Sequence, residues 1–196
     1  FFHALKNEKS HAYFEQIIFE IEGNIRPDLL EQSFNLLFER YDIIRTVFRA
    51  DKPDEPHQLV LKQRNFKLHF EDKSHLSEEE RKTYLEEFAK KDRERGFDLK
   101  EDILMRASLF KKESSAWGLA WSFHHILMDG WCIGIINSEF FEIYYSYLEN
   151  RRYRLPVVKP YRTYVRWLER QAKEESSRYW EKYLDSYEEQ AGIPKL

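Results

Sequence analysis

Between Ser114 and Met128 the chain carries no Asp, Glu, Lys or Arg, although 34% of its residues are charged. Within this run the alternation is one of size. Trp117, Leu119, Trp121, Phe123 and His125 share one face of an extended strand, and Ala116, Gly118, Ala120, Ser122 and His124 share the other. A strand without a polar face has to be covered on both sides, which places it inside a sheet. Its bulky face fills a core. Its small face admits the close approach of a helix or a ligand chain.

The rest of the chain reads as strands and helices built around that run. Tyr13 to Glu22 alternates as a strand, with Ile17, Phe19 and Ile21 on one side and Ile18 as the exception. Pro27 suits the first turn of a helix whose stripe is Leu30, Phe34, Leu37 and Tyr41. Ile43–Ala50 reads as a strand, Pro53 and Pro56 as a loop, and Gln58–Leu61 and Phe66–Phe70 as short strands. Ser77 to Glu80 has capping-box spacing with acid in the first turn, and it opens a charged, solvated helix to Arg95 that Gly96 stops. Ile103–Phe110 is a further strand. Ile133, Ile136, Phe140, Tyr144 and Tyr147 form a helical stripe after the central run. Residues 151–160 make a basic, proline-punctuated connector, and one or two amphipathic helices occupy Tyr161–Tyr187. No repeat interrupts the pattern. The expectation is an α/β (α+β) two-layer sandwich, a mixed sheet covered by helices.

Charge and cysteine usage narrow the function classes. With 32 basic and 35 acidic residues the net charge is −3, which argues against a nucleic-acid binder. A single cysteine, Cys132, excludes an internal disulfide and a multi-cysteine metal site. The charge-free run is too short for a membrane span, and the start of the chain lacks the pattern of a signal peptide. A reducing, cytoplasmic setting is the expectation, and the abrupt Phe1-Phe2 start reads as a piece of a larger polypeptide.

The chemistry concentrates in Ser122–Trp131, SFHHILMDGW. His125, at the end of a buried strand, is the candidate catalytic group, because an imidazole takes and returns a proton near neutral pH and can hydrogen-bond a tetrahedral intermediate. His124 faces the other way and reads as positioning or structural. Asp129 admits two roles: it orients His125 as in a catalytic triad, or it pairs with Arg45, a guanidinium in the apolar run IIRTVF that needs a partner. The ion pair is favoured, with Asp129 holding the loop that presents His125. Gly130 suits a tight turn that keeps the approach open, and the helix that starts there has N–H groups able to support an oxyanion. Trp131 completes the supporting set. Cys132 reads as core, and the adjacent histidines make a poor metal site, since they point in opposite directions.

Four stretches resemble, in order, the signatures of the condensation domains of nonribosomal peptide synthetases, members of the chloramphenicol acetyltransferase-like superfamily. Phe2-His3-Ala4-Leu5 is similar to the tail of the first signature. Arg40 to Phe48 resembles R-H-x-x-L-R-T-x-F, with Tyr41 and Ile44 in place of His and Leu. His124 to Gly130 matches H-H-x-x-x-D-G. Tyr161 to Trp167 resembles Y-x-D-Y-A-x-W, with Thr163 where Asp is usual. The resemblance implies that His125 is catalytic, that Arg45 pairs with Asp129, and that residues 1–196 form the N-terminal lobe of a two-lobed domain, with 151–196 leading toward the second lobe. It implies amide formation between thioesters on upstream and downstream carrier proteins, whose phosphopantetheine arms bring the substrates while the lobe itself binds no cofactor or metal. The partners would be those carriers, adjacent synthetase domains and the second lobe, in a bacterial cytoplasm, without nucleic acid or membrane. The wording HHILMDGWC and the FFHAL start resemble the subtype that accepts a donor with a D-configured terminal residue. An epimerization domain, a free-standing acetyltransferase and a carrier-docking lobe without activity are the alternatives.

Overall fold

The charge-free run folds as an internal strand. In the computed structural model, which describes residues 13–49, 57–187 and 192, the elements are β1 (Phe14–Glu22), α1 (Pro27–Arg40), a 3-10 turn (Asp42–Arg45), β2 (Thr46–Arg49), β3 (His57–Val60), β4 (His69–Asp72), α2 (Glu78–Arg95), β5 (Met105–Lys111), β6 (Ala116–His124), α3 (Gly130–Leu148), α4 (Tyr161–Glu169) and α5 (Lys173–Tyr183). The main sheet has the order β1-β6-β5-β4. The strand β6 lies between β1 and β5, antiparallel to both, while β4 joins β5 in parallel by way of α2. The mixed sheet with covering helices is the expected fold. The hairpin β2–β3 forms a separate antiparallel pair.

Both faces of β6 are covered, by different means. Against its bulky face pack α1 and α3. Phe34 lies 4.5 Å from both Phe66 and Phe140 and meets Trp121 edge-on at 5.4 Å. Burying each such aromatic side chain is worth roughly 2–3 kcal/mol. Against the small face lies α2. Leu85 stands 3.8 Å from the position a Cβ on Gly118 would take, so the helix lies close against this face with room for a methyl group in ordinary contact. The capping box is present at the start of α2, with the Ser77 hydroxyl accepting from the Glu80 N–H and the Glu80 carboxylate accepting from the Ser77 N–H. At the other end Gly96 has φ 61°, a conformation that favours glycine. No residue of α2 is fully buried, as its charge pattern predicts.

Two expected strands start later than their sequence pattern suggests, because side chains take over the first part of each. Ile43–Ala50 reads as one strand, yet its first half is the 3-10 turn. There Arg45 donates to the carbonyls of Phe38 (2.7 Å) and Leu61 (3.0 Å) and to Asp42 Oδ1 (2.6 Å). These bonds close the exit from α1 locally. Phe66 is pinned by Asn35, which accepts from its N–H (2.9 Å) and donates to its carbonyl (3.1 Å). The backbone there pairs with an amide side chain instead of a strand, and β4 starts only at His69.

The signature tail at Phe2–Leu5 and the proline loop at Pro53 and Pro56 lie outside the described residues. The chain divides into one unit up to Val158 and a second from Lys159. In the second unit two helices form, α4 and α5. Tyr164 stacks on Trp167 at 5.8 Å and Tyr179 on Tyr183 at 6.0 Å, and all four rings are substantially exposed. Among the described residues no helix is long and apolar enough to cross a membrane.

Candidate active site

The strand β6 ends at His124, and the chain turns before α3 begins at Gly130. Two adjacent histidines therefore enter opposite environments. His124 keeps the strand direction and is buried, 9% exposed. Its ring lies 5.9 Å from that of Tyr13 and 6.5 Å, edge-on, from that of Phe97. Its Nδ1 accepts the N–H of Ile126 at 3.1 Å, and its carbonyl accepts the N–H of Leu127 at 3.0 Å. Burial, aided by the neighbouring His125, pushes the imidazole down to about 4. The ring is thus neutral near pH 7. With Nδ1 accepting, its proton sits on Nε2.

His125 leaves the sheet and is exposed. Its backbone is fixed, because its N–H donates to the Tyr13 carbonyl at 2.8 Å. Among the described residues its imidazole has no hydrogen-bond partner. An imidazole held at its root and exposed at its tip can meet an incoming group and exchange a proton with it.

The favoured Arg45–Asp129 pair does not form. Arg45 gives its donors to Asp42 and to the carbonyls of Phe38 and Leu61. Asp129 caps α3, with its Oδ1 accepting the N–H of Cys132 at 3.1 Å. That hydrogen bond holds the Asp129 carboxyl below its usual range. Its architectural role at the loop stands, but the partner is the helix start. The same bond changes the oxyanion reading: the Cys132 N–H is already taken by the protein's own carboxylate. Gly130 is the first residue of α3, and a Cβ there would meet nothing within 4 Å, so the turn itself does not demand glycine. Trp131 is 88% exposed beside it. Cys132 is partly buried, and burial pushes its thiol up, away from the thiolate a nucleophile needs. No cluster of His, Cys, Asp and Glu among the described residues could hold a metal ion.

Two polar constellations went unread in the sequence. Buried Glu139 on α3 accepts from Arg40 Nε (3.1 Å) and Nη2 (3.2 Å), and its presence helps push the Tyr41 hydroxyl, already raised by burial, up to about 12. On the other side of the sheet, Asp92 of α2 accepts from Gln16, Arg106 and Ser122. Each had a signal: an Arg within the apolar run ILMRASLF, and a Glu within the apolar stripe IINSEFF. A charge in such a run needs a partner.

A groove of about 1240 Å³ runs between α3 and the connector, lined by Gly134, Ile135, Glu142, Arg151 and Tyr153 among others; it does not include His125.

A family model described as "Condensation domain" matches residues 1–196. A component of the linear gramicidin synthase of Brevibacillus parabrevis is 47% identical over 198 residues, covering 99% of this chain and 4% of that protein. Surfactin synthase subunit 3 of Bacillus subtilis (strain 168) is 43% identical over 189 residues, covering 96% of this chain and 15% of that protein. Among solved structures, the starter condensation domain of rhizomide synthetase superposes with a TM-score of 0.84 at 18% identity, over 95% of this chain and 46% of that one. The SgcC5 protein of Streptomyces globisporus gives 0.73 at 22% identity, over 88% and 40%. The chain spans less than half of these solved structures and a small part of the two synthase proteins.

Proposed function

This chain belongs to the condensation-domain family, and from that premise we propose that it is the N-terminal lobe of an amide-forming condensation domain in nonribosomal peptide synthesis, with His125 as the catalytic residue. The observation that carries the proposal is the placement of His125: its backbone is tied to Tyr13 while its imidazole is exposed and without a hydrogen-bond partner among the described residues.

In the reaction, an upstream carrier presents a peptidyl or aminoacyl thioester on its phosphopantetheine arm, and a downstream carrier presents an aminoacyl thioester with a free amine. The amine nitrogen attacks the donor carbonyl, a tetrahedral centre forms, and the carbon–sulfur bond breaks. The donor thiol leaves, and the amine gives up a proton as the amide forms. His125 accepts that proton or holds the amine and the tetrahedral centre by hydrogen bonding. Tethering both substrates raises their effective concentration, so positioning carries much of the acceleration. His125 is exposed, and the second lobe is proposed to face it across the site. The donor is proposed to end in a D-configured residue, on the wording HHILMDGWC. The partners are the two carriers and neighbouring synthetase domains, in a bacterial cytoplasm.

The test uses the complete two-lobed domain with separately loaded carriers, read by intact-protein mass spectrometry. Amide product on the downstream carrier, formed faster from a D-terminated than an L-terminated donor, is the expected result. Deuterium exchange at the α-carbon of a loaded carrier without amide product would move the assignment to epimerization. No reaction of either kind would leave a lobe that only docks carriers.

A further inference from the structure

The small face of β6 carries a polar row that the proposed chemistry does not use. Gln16 pairs with Ser122 across β1 and β6, and Arg106 pairs with Ser122 across β5 and β6, so the three residues form one line over three strands. All three reach the same carboxylate. Asp92, in the last turns of α2, accepts from Gln16 Nε2 at 3.1 Å, from Ser122 Oγ at 2.6 Å and from Arg106 Nε at 2.9 Å. Arg106 also donates to the carbonyls of Asp92 (3.1 Å) and Gly96 (2.8 Å). The side chains of Arg106 and Asp92 are only 17% and 10% exposed.

One step along the same face lies the root of the catalytic turn. The Arg106 guanidinium sits 4.0 Å from the centre of the Phe97 ring. Phe97 stacks on Phe14 at 5.5 Å and meets His124 edge-on at 6.5 Å. Phe14 is in turn the cross-strand partner of His124. The cage that keeps His124 buried is therefore floored by an arginine that Asp92 orients, and His124 Nδ1 shapes the turn through the Ile126 N–H. A buried ion pair is seldom more stabilising than apolar side chains of the same volume, but it fixes one geometry.

We propose that Asp92 and Arg106 are positioning residues for His125, acting through Phe97 and His124 to set the turn that presents the catalytic imidazole. The proposal rests on the reading of His125 as catalytic.

Two measurements on the complete two-lobed domain test it. The first compares Asp92→Asn, Arg106→Lys and the apolar pair Asp92→Leu with Arg106→Met against Leu85→Ala, which loosens the same helix–sheet contact without touching the polar row. The expected result is a fall in kcat of roughly 10- to 100-fold in the three polar-row variants, with KM for the loaded carriers within about twofold of wild type. Leu85→Ala should lower Tm and leave kcat near wild type. If kcat simply follows Tm across the whole set, or if folded Arg106→Lys keeps wild-type kcat, the proposal is overturned. The second measurement needs no activity. The ring ¹⁵N shifts of His124 should report an Nε2–H tautomer in wild type and a tautomer mixture in Arg106→Lys; an unchanged tautomer would overturn the proposal. Absence of amide product from wild type would instead strike the reading of His125, and the ¹⁵N result would still decide whether Asp92 and Arg106 control the turn.

Discussion

The two faces of β6 are built from different chemistry. Toward α1 and α3 it offers Trp117, Leu119, Trp121 and Phe123, packed into an aromatic core around Phe34, Phe66 and Phe140. Toward α2 it offers Gly118, Ser122 and His124, held by hydrogen bonds and by ring contacts at fixed distances. Apolar packing stabilises in proportion to the area removed from water and tolerates rearrangement; hydrogen bonds and ion pairs add less net stability but select one geometry. One face supplies most of the apolar packing, and the other is proposed to set the turn that presents His125.

That contrast can be broken from the apolar side first. Phe34→Ala removes a fully buried ring from the centre of the core and should cost about 3–5 kcal/mol in denaturant unfolding. Glu139 is the polar exception on this side. Glu139→Ala strands the Arg40 guanidinium, only 18% exposed, and should cost about 3 kcal/mol, at least half of which should return when Arg40→Met is added. The polar side shows itself in acid. The pKa of His124 falls from 6.5 in an ordinary imidazole to about 4, chiefly by burial. The unfolded chain holds that proton more tightly, so stability is fully present above pH 6.5 and is lost as pH falls from 6.5 to about 4. The loss should reach about 2 kcal/mol, and urea unfolding over this range should show that part of the slope vanish in His124→Phe. The smallest effect belongs to the outer end of α2, where Ser77→Ala removes the capping box and should cost about 1 kcal/mol without changing kcat.

Much of this was legible in the sequence, and the reasons are local. The absence of charge from Ser114 to Met128 announced an internal strand, and the small residues on one face announced the close approach of a helix or a ligand chain, of which the fold supplies the helix. The Ser77–Glu80 spacing announced the start of α2. Arg45 shows where local pattern misleads. The run IIRTVF has the β-branched composition of a strand, but a guanidinium within reach of Asp42, three residues away, and of the Phe38 carbonyl closes a turn. For the same reason its expected partner Asp129 turned instead to the N–H of Cys132, three residues on. The Asp92–Arg106 and Arg40–Glu139 pairs were half legible: a charge in an apolar run announces that it needs a partner, but the partners are 14 and 99 residues apart, and only the fold identifies them.

The most direct test of the account is the single-turnover rate of amide formation by His125→Ala beside wild type, in the complete two-lobed domain with equally loaded carriers. The His125 side chain is exposed and makes no hydrogen bond among the described residues, while its backbone N–H is tied to Tyr13. The account therefore predicts a rate lower by roughly 10²- to 10⁴-fold with Tm essentially unchanged. A rate close to wild type would contradict it, and would remove His125 from the chemistry altogether.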